Sequence, residues 1–297
     1  MAAVSDALVL HGLRQRQSRM ARAATIAKKK YLGTASLILL VVFVLVAALA
    51  PVIAPYPYQL TDTSSRLQSP SFEHLLGTDV LGRDVLSRIM YGARVSLFVG
   101  LTATALGMLV GGTLGISSAY FGGRYDLIMQ RFIDTLQAFP NLIIALTMVA
   151  VLGSSLFNVT MAITIGALAG KTRISRSAAF SVISNPYLDA ARVVGCSNLR
   201  IMARYVLPNA MAPIIVITTI SLGTAILAES SLSFLGLGPP PPNPTWGSML
   251  SGNARSYMNI APWLALAPGI AITLVVLSFN LLGDAVRDVL DPRLRGT

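Results

Sequence analysis

Apolar residues in this chain collect in six long stretches, separated by charged or proline- and glycine-rich connections. The stretches cover residues 34–54, 95–119, 132–152, 156–170, 210–232 and 263–282. A helix rises 1.5 Å per residue, so about 20 apolar residues cross the ~30 Å of hydrocarbon in a bilayer. The pattern therefore predicts an all-α membrane protein with six transmembrane helices. The fourth stretch is short and ends in Lys171, Arg173 and Arg176, so it is expected to pack among other helices rather than in lipid. Gly107, Gly111 and Gly115 recur every four residues in the second stretch. That spacing either lets another helix approach closely or reflects only the frequency of glycine in such helices.

Composition agrees with a lipid environment. Of 297 residues, 54% are hydrophobic and 12% charged, with mean hydropathy +0.67. A soluble domain carries about 25% charge, and a disordered chain is poor in apolar residues. The single cysteine, Cys196, excludes a disulfide framework within the chain, and His11 with His74 makes no zinc site. The net charge of +11 invites a nucleic-acid reading, but the basic residues lie between apolar runs, not in a stripe with aromatic partners. No nucleic acid is expected as a partner; the lipid bilayer is.

The positions of those charges orient the chain. Six spans place both termini on one side. With the N-terminus in the cytoplasm, 18 of the 23 Lys and Arg residues fall inside and 5 outside, as the positive-inside rule requires. The organisation then reads as a cytoplasmic basic segment 1–33, a first span 34–54 and an external loop 55–94. A five-helix core 95–283 follows, with a cytoplasmic loop at 171–209, and then a cytoplasmic tail 284–297. A cleaved signal peptide competes for the first span, through Ala48-Leu49-Ala50. The run is long for a signal core, however, and Pro51 follows the candidate site directly. Prolines 239–242 and 244 are expected to form a stiff, extended spacer in the last external loop.

The chemistry of an energy source is missing from the motifs. Gly166-Ala-Leu-Ala-Gly170-Lys171-Thr172 resembles a phosphate loop but has three residues between its glycines where four are needed. No serine–histidine–acid grouping supports nucleophilic catalysis. Asp134 and Glu229 are the acids within spans, and both sit near span ends, away from the midplane where a proton relay is wanted. Glu229 is expected either to face a cavity or inter-subunit seam near an outer gate, or to snorkel into the headgroups.

The loop at 171–209 is the most informative. Asn185 and Pro186 suit the N-cap and first position of a helix, and Gly195 suits its left-handed end. Tyr187, Ala190, Ala191 and Val194 share a helical face. Such a helix can sink into a partner's groove or lie on lipid headgroups. The segment resembles the EAA loop of bacterial ABC-importer permeases, E-A-A-x3-G-x9-I-x-L-P. The chain has Asp189-Ala190-Ala191, Gly195, Tyr205 and Leu207-Pro208 at the full spacing, with Asp for Glu and Tyr for Ile. Three further stretches resemble the oligopeptide/dipeptide/nickel family and, within it, the C-type subunit. They are Leu76-Gly-Thr-Asp-Val-Leu-Gly-Arg-Asp84 with Gly92-Ala-Arg-Val-Ser-Leu97, then Ser233-Phe-Leu-Gly-Leu-Gly238 with Trp246-Gly-Ser-Met249, and finally residues 280–295. One departure is Leu168, where the family usually carries tryptophan.

The resemblance implies a type I ABC-importer permease fold in the bacterial cytoplasmic (inner) membrane. It implies as partners a homologous second permease, two ABC ATPase subunits and an extracytoplasmic substrate-binding protein. Tyr187, Asp189, Ala190, Ala191, Gly195, Tyr205, Leu207 and Pro208 would couple the permease to the ATPases. The chain itself would be no enzyme and hold no cofactor or metal; ATP and Mg would sit in the ATPase subunits. Peptide is the default cargo, with nickel, glutathione, opines and oligosaccharides as family alternatives. A secondary transporter or a membrane scaffold would have no need of EAA spacing.

Overall fold

The computed structural model describes residues 30–290, and those residues are helical with no strands. Most of the basic segment expected at 1–33 and half of the tail expected at 284–297, residues 1–29 and 291–297, lie outside the described residues. Helix α1 spans Tyr31–Ile53 and α2 spans Val85–Phe121, joined by an ordered loop. Next come α3 (Gly123–Gln137), α4 (Asn141–Leu152), α5 (Leu156–Gly166) and α6 (Leu168–Ile183). Two short helices, α7 (Pro186–Val193) and α8 (Asn198–Ile201), lead through a π-turn into α9 (Leu207–Phe234). The chain ends with α10 (Trp246–Leu250), α11 (Asn253–Ser256) and α12 (Trp263–Leu290).

Four helices, α1, α2, α9 together with its lead-in, and α12, are long and apolar enough to cross a bilayer. The expected third span, 132–152, is not one straight helix. It is broken between α3 and α4, whose axes differ by 80°. Pro140 has no N–H to continue the ladder, and its ring disfavours helical backbone at Phe139. The fourth stretch also differs from expectation. After a hinge at Ala167, the charged residues 171–176 continue as helix α6 instead of opening a loop.

Helix α2 starts at Val85, ten residues before its apolar stretch. The Asp84 carboxylate accepts the Ser87 N–H at 2.7 Å, which caps the helix. Arg88 is buried beside Asp79 at 3.7 Å and donates to the Tyr58 carbonyl. The 76–84 stretch is a folded turn. Asp79 Oδ1 accepts the N–H groups of Leu81 and Arg83, and Trp263 Nε1 donates to the Thr78 carbonyl at 3.2 Å. The proline run turns instead of extending, with a cis bond between Pro241 and Pro242.

The glycine stripe of α2 is a contact face. A Cβ at Gly111 would lie 3.0 Å from Lys171 Cβ, and one at Gly115 would lie 2.3 Å from the Thr172 carbonyl oxygen. Helix α6 therefore runs backbone-close along α2. Salt bridges hold α3 to the same helix: Asp126 pairs with Arg176 at 2.5 Å, and Asp134 with Arg173.

Candidate functional site

Helix α7 takes its shape from local sequence. Pro186 occupies the first turn and Asn185 has the extended N-cap backbone. The Asn185 side chain turns the other way, donating to the Val182 carbonyl at 2.8 Å and closing α6. At the far end, Gly195 has φ +83°. Its N–H donates to Arg192 O at 2.9 Å, and the Cys196 N–H donates to Ala191 O at 3.0 Å. This pair of bonds is the Schellman turn, and it accounts for the three-residue gap between Ala191 and Gly195. The alanine supplies the carbonyl that the turn closes on, and the glycine supplies the left-handed residue.

Leu188 and Ala191 face the chain's own core, against Val182, Ile201 and Val206. Tyr187, Asp189 and Ala190 face outward. So do Val193, Val194 and Leu199, which are 88%, 82% and 73% exposed. Ala191 thus leaves the group of four face residues expected from the sequence. The Leu188/Ala191 stripe does the internal packing, while Tyr187, Ala190 and Val194 stay open. Asp189 pairs with Arg192 of its own helix at 2.8 Å.

Tyr120, at the end of α2, was not expected to matter. Its ring lies under the Arg192 guanidinium, centroid distance 5.5 Å, and its hydroxyl donates to Asn198 at 2.9 Å. The Tyr120 oxygen, with Asp189 second, raises the Arg192 pKa above its ordinary value. One aromatic residue therefore fixes both α7 and α8 to the bundle. Nothing in the local pattern near Tyr120 signals this, because its partners are distant in sequence.

Tyr205 and Leu207-Pro208 lie where the π-turn Met202–Val206 enters α9. Pro208 cannot donate to Arg204 O, and its ring would crowd that carbonyl in a regular helix. The wider turn accommodates it, with Leu207 N–H bonded to Met202 O. Asn209 Nδ2 satisfies the Tyr205 carbonyl at 2.6 Å. The structure thus brings 187–195 and 205–208 to one end of the bundle as parts of one segment.

Glu229 lies near the end of α9. It is fully buried inside this chain. Ser233 Oγ donates to its carboxylate at 2.7 Å, and the hydroxyls of Ser230, Ser96 and Thr245 complete the shell. Neither the headgroups nor an open cavity surrounds it. The carboxylate joins α9, α2 and the start of α10. That start is a reciprocal capping box between Thr245 and Ser248, with Trp246 buried and donating to Ile89 O at 3.1 Å. A Cβ at Gly247 would lie 2.2 Å from Ser230 O, so the 246–249 motif is a close-packing device at this junction.

Comparison with known proteins agrees with this architecture. A family described as the binding-protein-dependent transport system inner membrane component matches residues 111–296. A second, the N-terminal TM domain of oligopeptide transport permease C, matches residues 18–70. The dipeptide transport system permease protein DppC of Alkalihalophilus pseudofirmus is 44% identical over 90% of this chain and 88% of its own length. The DppC of Haemophilus influenzae is 42% identical over 87% of this chain and 90% of its own. The glutathione transport system permease protein GsiD of Escherichia coli is 39% identical over 91% and 89%. Among solved structures, an inward-facing MetNI methionine ABC transporter shares the fold, with TM-score 0.57 at 15% identity over 69% of this chain and 97% of that one. The chain belongs to the inner-membrane permease components of binding-protein-dependent ABC transport systems.

Proposed function

We propose that this permease, paired with a homologous second permease and two ABC ATPase subunits, imports peptides delivered by an external binding protein. ATP and Mg are held by the ATPases, and this chain catalyses nothing itself. The peptide reading rests on relatives named for dipeptide and for glutathione, itself a short peptide.

The observation that carries the coupling reading is the exposed face of α7 and α8. Val193, Val194, Leu199, Tyr187 and Ala190 form an apolar patch on a segment that is itself firmly held, by the Schellman turn and by Tyr120. A rigid, uncovered apolar patch suits a protein partner. Asp189, Gly195, Tyr205, Leu207 and Pro208 shape the segment that presents it. ATP-driven closure of the ATPases would move the segment and, through α6 and α9, the bundle.

The six-crossing topology takes α3–α4 as one bent crossing and α5–α6 as another, beside α1, α2, α9 and α12. Both termini and the 184–209 segment, which carries Arg192, Arg200 and Arg204, then lie in the cytoplasm, the side on which basic residues are favoured. Copurification of the solubilised complex, with its subunits identified by mass, tests the partners, and dipeptide uptake by proteoliposomes tests the cargo. Thiol labelling of Ser65→Cys from outside and Ser197→Cys from inside tests the topology. Labelling of Ser197→Cys from outside overturns it.

A further inference from the structure

Lys171 is 4% exposed and enters none of the ion pairs among the described residues. Its ammonium crosses α2 at Gly107, near the middle of the apolar stretch 95–119, where a Cβ on that glycine would sit 2.6 Å from Nζ. Its nearest acceptors are the carbonyls of Ala103 and Thr104, at 3.5 and 3.3 Å. Both distances are long for an N–H···O bond, and helical carbonyls already have partners within their own ladder. A cation at such depth is costly unless an anion or water compensates it.

Lys171 also lines a cavity of about 240 Å³ between α4, α5 and α9. The other polar residues on its wall are Asn141, Ser221, Thr224 and Ser231. The cavity is smaller than the roughly 300–1,000 Å³ of a complete small-ligand pocket, as expected of a half-site that a second permease would close.

We infer that this cavity is a substrate subsite in which Lys171 receives a carboxylate of the transported peptide, with Asn141 and the α9 hydroxyls as neutral hydrogen-bonding wall. The inference rests on the peptide reading above. Gly107 supplies the room the ammonium occupies. The burial of Lys171 without an ion pair is then a feature of the mechanism, since a peptide's terminal carboxylate pairs with it in passage.

The test uses the whole reconstituted complex with dipeptide-loaded binding protein and compares the parent with Lys171→Met and Lys171→Arg. Methionine matches the stem and removes the charge. The expected result is an intact Lys171→Met complex with the parent's thermal stability and at least about tenfold less dipeptide uptake, and substantial recovery in Lys171→Arg. Dipeptide uptake at the parent rate by Lys171→Met overturns the inference. So does loss of the assembled complex in both variants, which would make Lys171 a structural tie. No dipeptide uptake by the parent itself overturns the peptide reading, and this inference with it.

Discussion

Two regions of the molecule use the same small residues for opposite purposes. Along the α2–α6 seam, Gly107, Gly111 and Gly115 are buried, and each would place a Cβ within about 3 Å of a neighbour. In α7 and its turn, Ala190 is exposed and Gly195 has nothing within 4 Å of where a Cβ would be. Glycine in the seam supplies space, and Gly195 supplies backbone conformation. The seam is already filled by this chain, whereas the outer face of α7 is left for something else to fill. The comparison teaches that a small residue in a membrane protein says little until its surroundings are known. It also separates damage to the fold from damage to function.

That separation can be attacked by substitution. The largest effect is expected from Gly115→Leu, which drives a side chain into the Thr172 backbone, where no rotamer change gives relief. Overpacking costs about 1–3 kcal/mol, sometimes more, so the variant should lose most of its monodisperse, detergent-stable material in size-exclusion chromatography. Recovery at the parent level would show that the seam is not tightly packed.

Next is Ala190→Trp, for which the opposite pattern is expected. Its thermal unfolding should match the parent, because Ala190 is exposed, while uptake by the assembled transporter falls at least about tenfold. Gly195→Val should show both effects. A β-branched residue at φ +83° costs about 1–2 kcal/mol, and the distorted turn should also reduce uptake. Normal uptake by Ala190→Trp would remove α7 from the mechanism.

Glu229 sharpens the comparison from the other side, because it is buried like the seam but polar. Glu229→Ala would strand the Ser233 and Thr245 hydroxyls, at about 1–3 kcal/mol. Glu229→Gln keeps the shape and should cost less than half of that in a denaturation series. Equal losses would show that the charge itself, and not the hydrogen-bonded junction, is what the site requires. The smallest effect should come from Lys30→Ala, which breaks a half-exposed pair with Asp288. Such pairs contribute about 0–1 kcal/mol, and unfolding should shift barely above error.

The sequence made these regions legible to different depths for a physical reason. The α7 turn is local. Pro186, Ala191 and Gly195 fall within ten residues, and the rules for helix starts and left-handed ends act at that range. The four long spans were legible because apolar length alone decides them. The break at Phe139-Pro140 was visible as a proline, but whether it kinks or divides a span depends on what packs against it. The long-range partners were not legible. Nothing near Glu229 points to Ser96, and nothing near Tyr120 points to Arg192 and Asn198. The 166–172 stretch fails the phosphate-loop spacing, yet its lysine is buried and enters none of the ion pairs among the described residues. Only the packing of α6 on α2 shows that.

The central claim is that the open face of α7 is covered by an ATPase subunit in the working transporter. Ala190→Cys in a Cys196→Ser background tests it most directly, by the rate of thiol labelling in the permease alone and in the complex with its ATPases. Fast labelling of the lone permease and at least about tenfold protection in the complex is the predicted result. Equal labelling rates in the two states would contradict it.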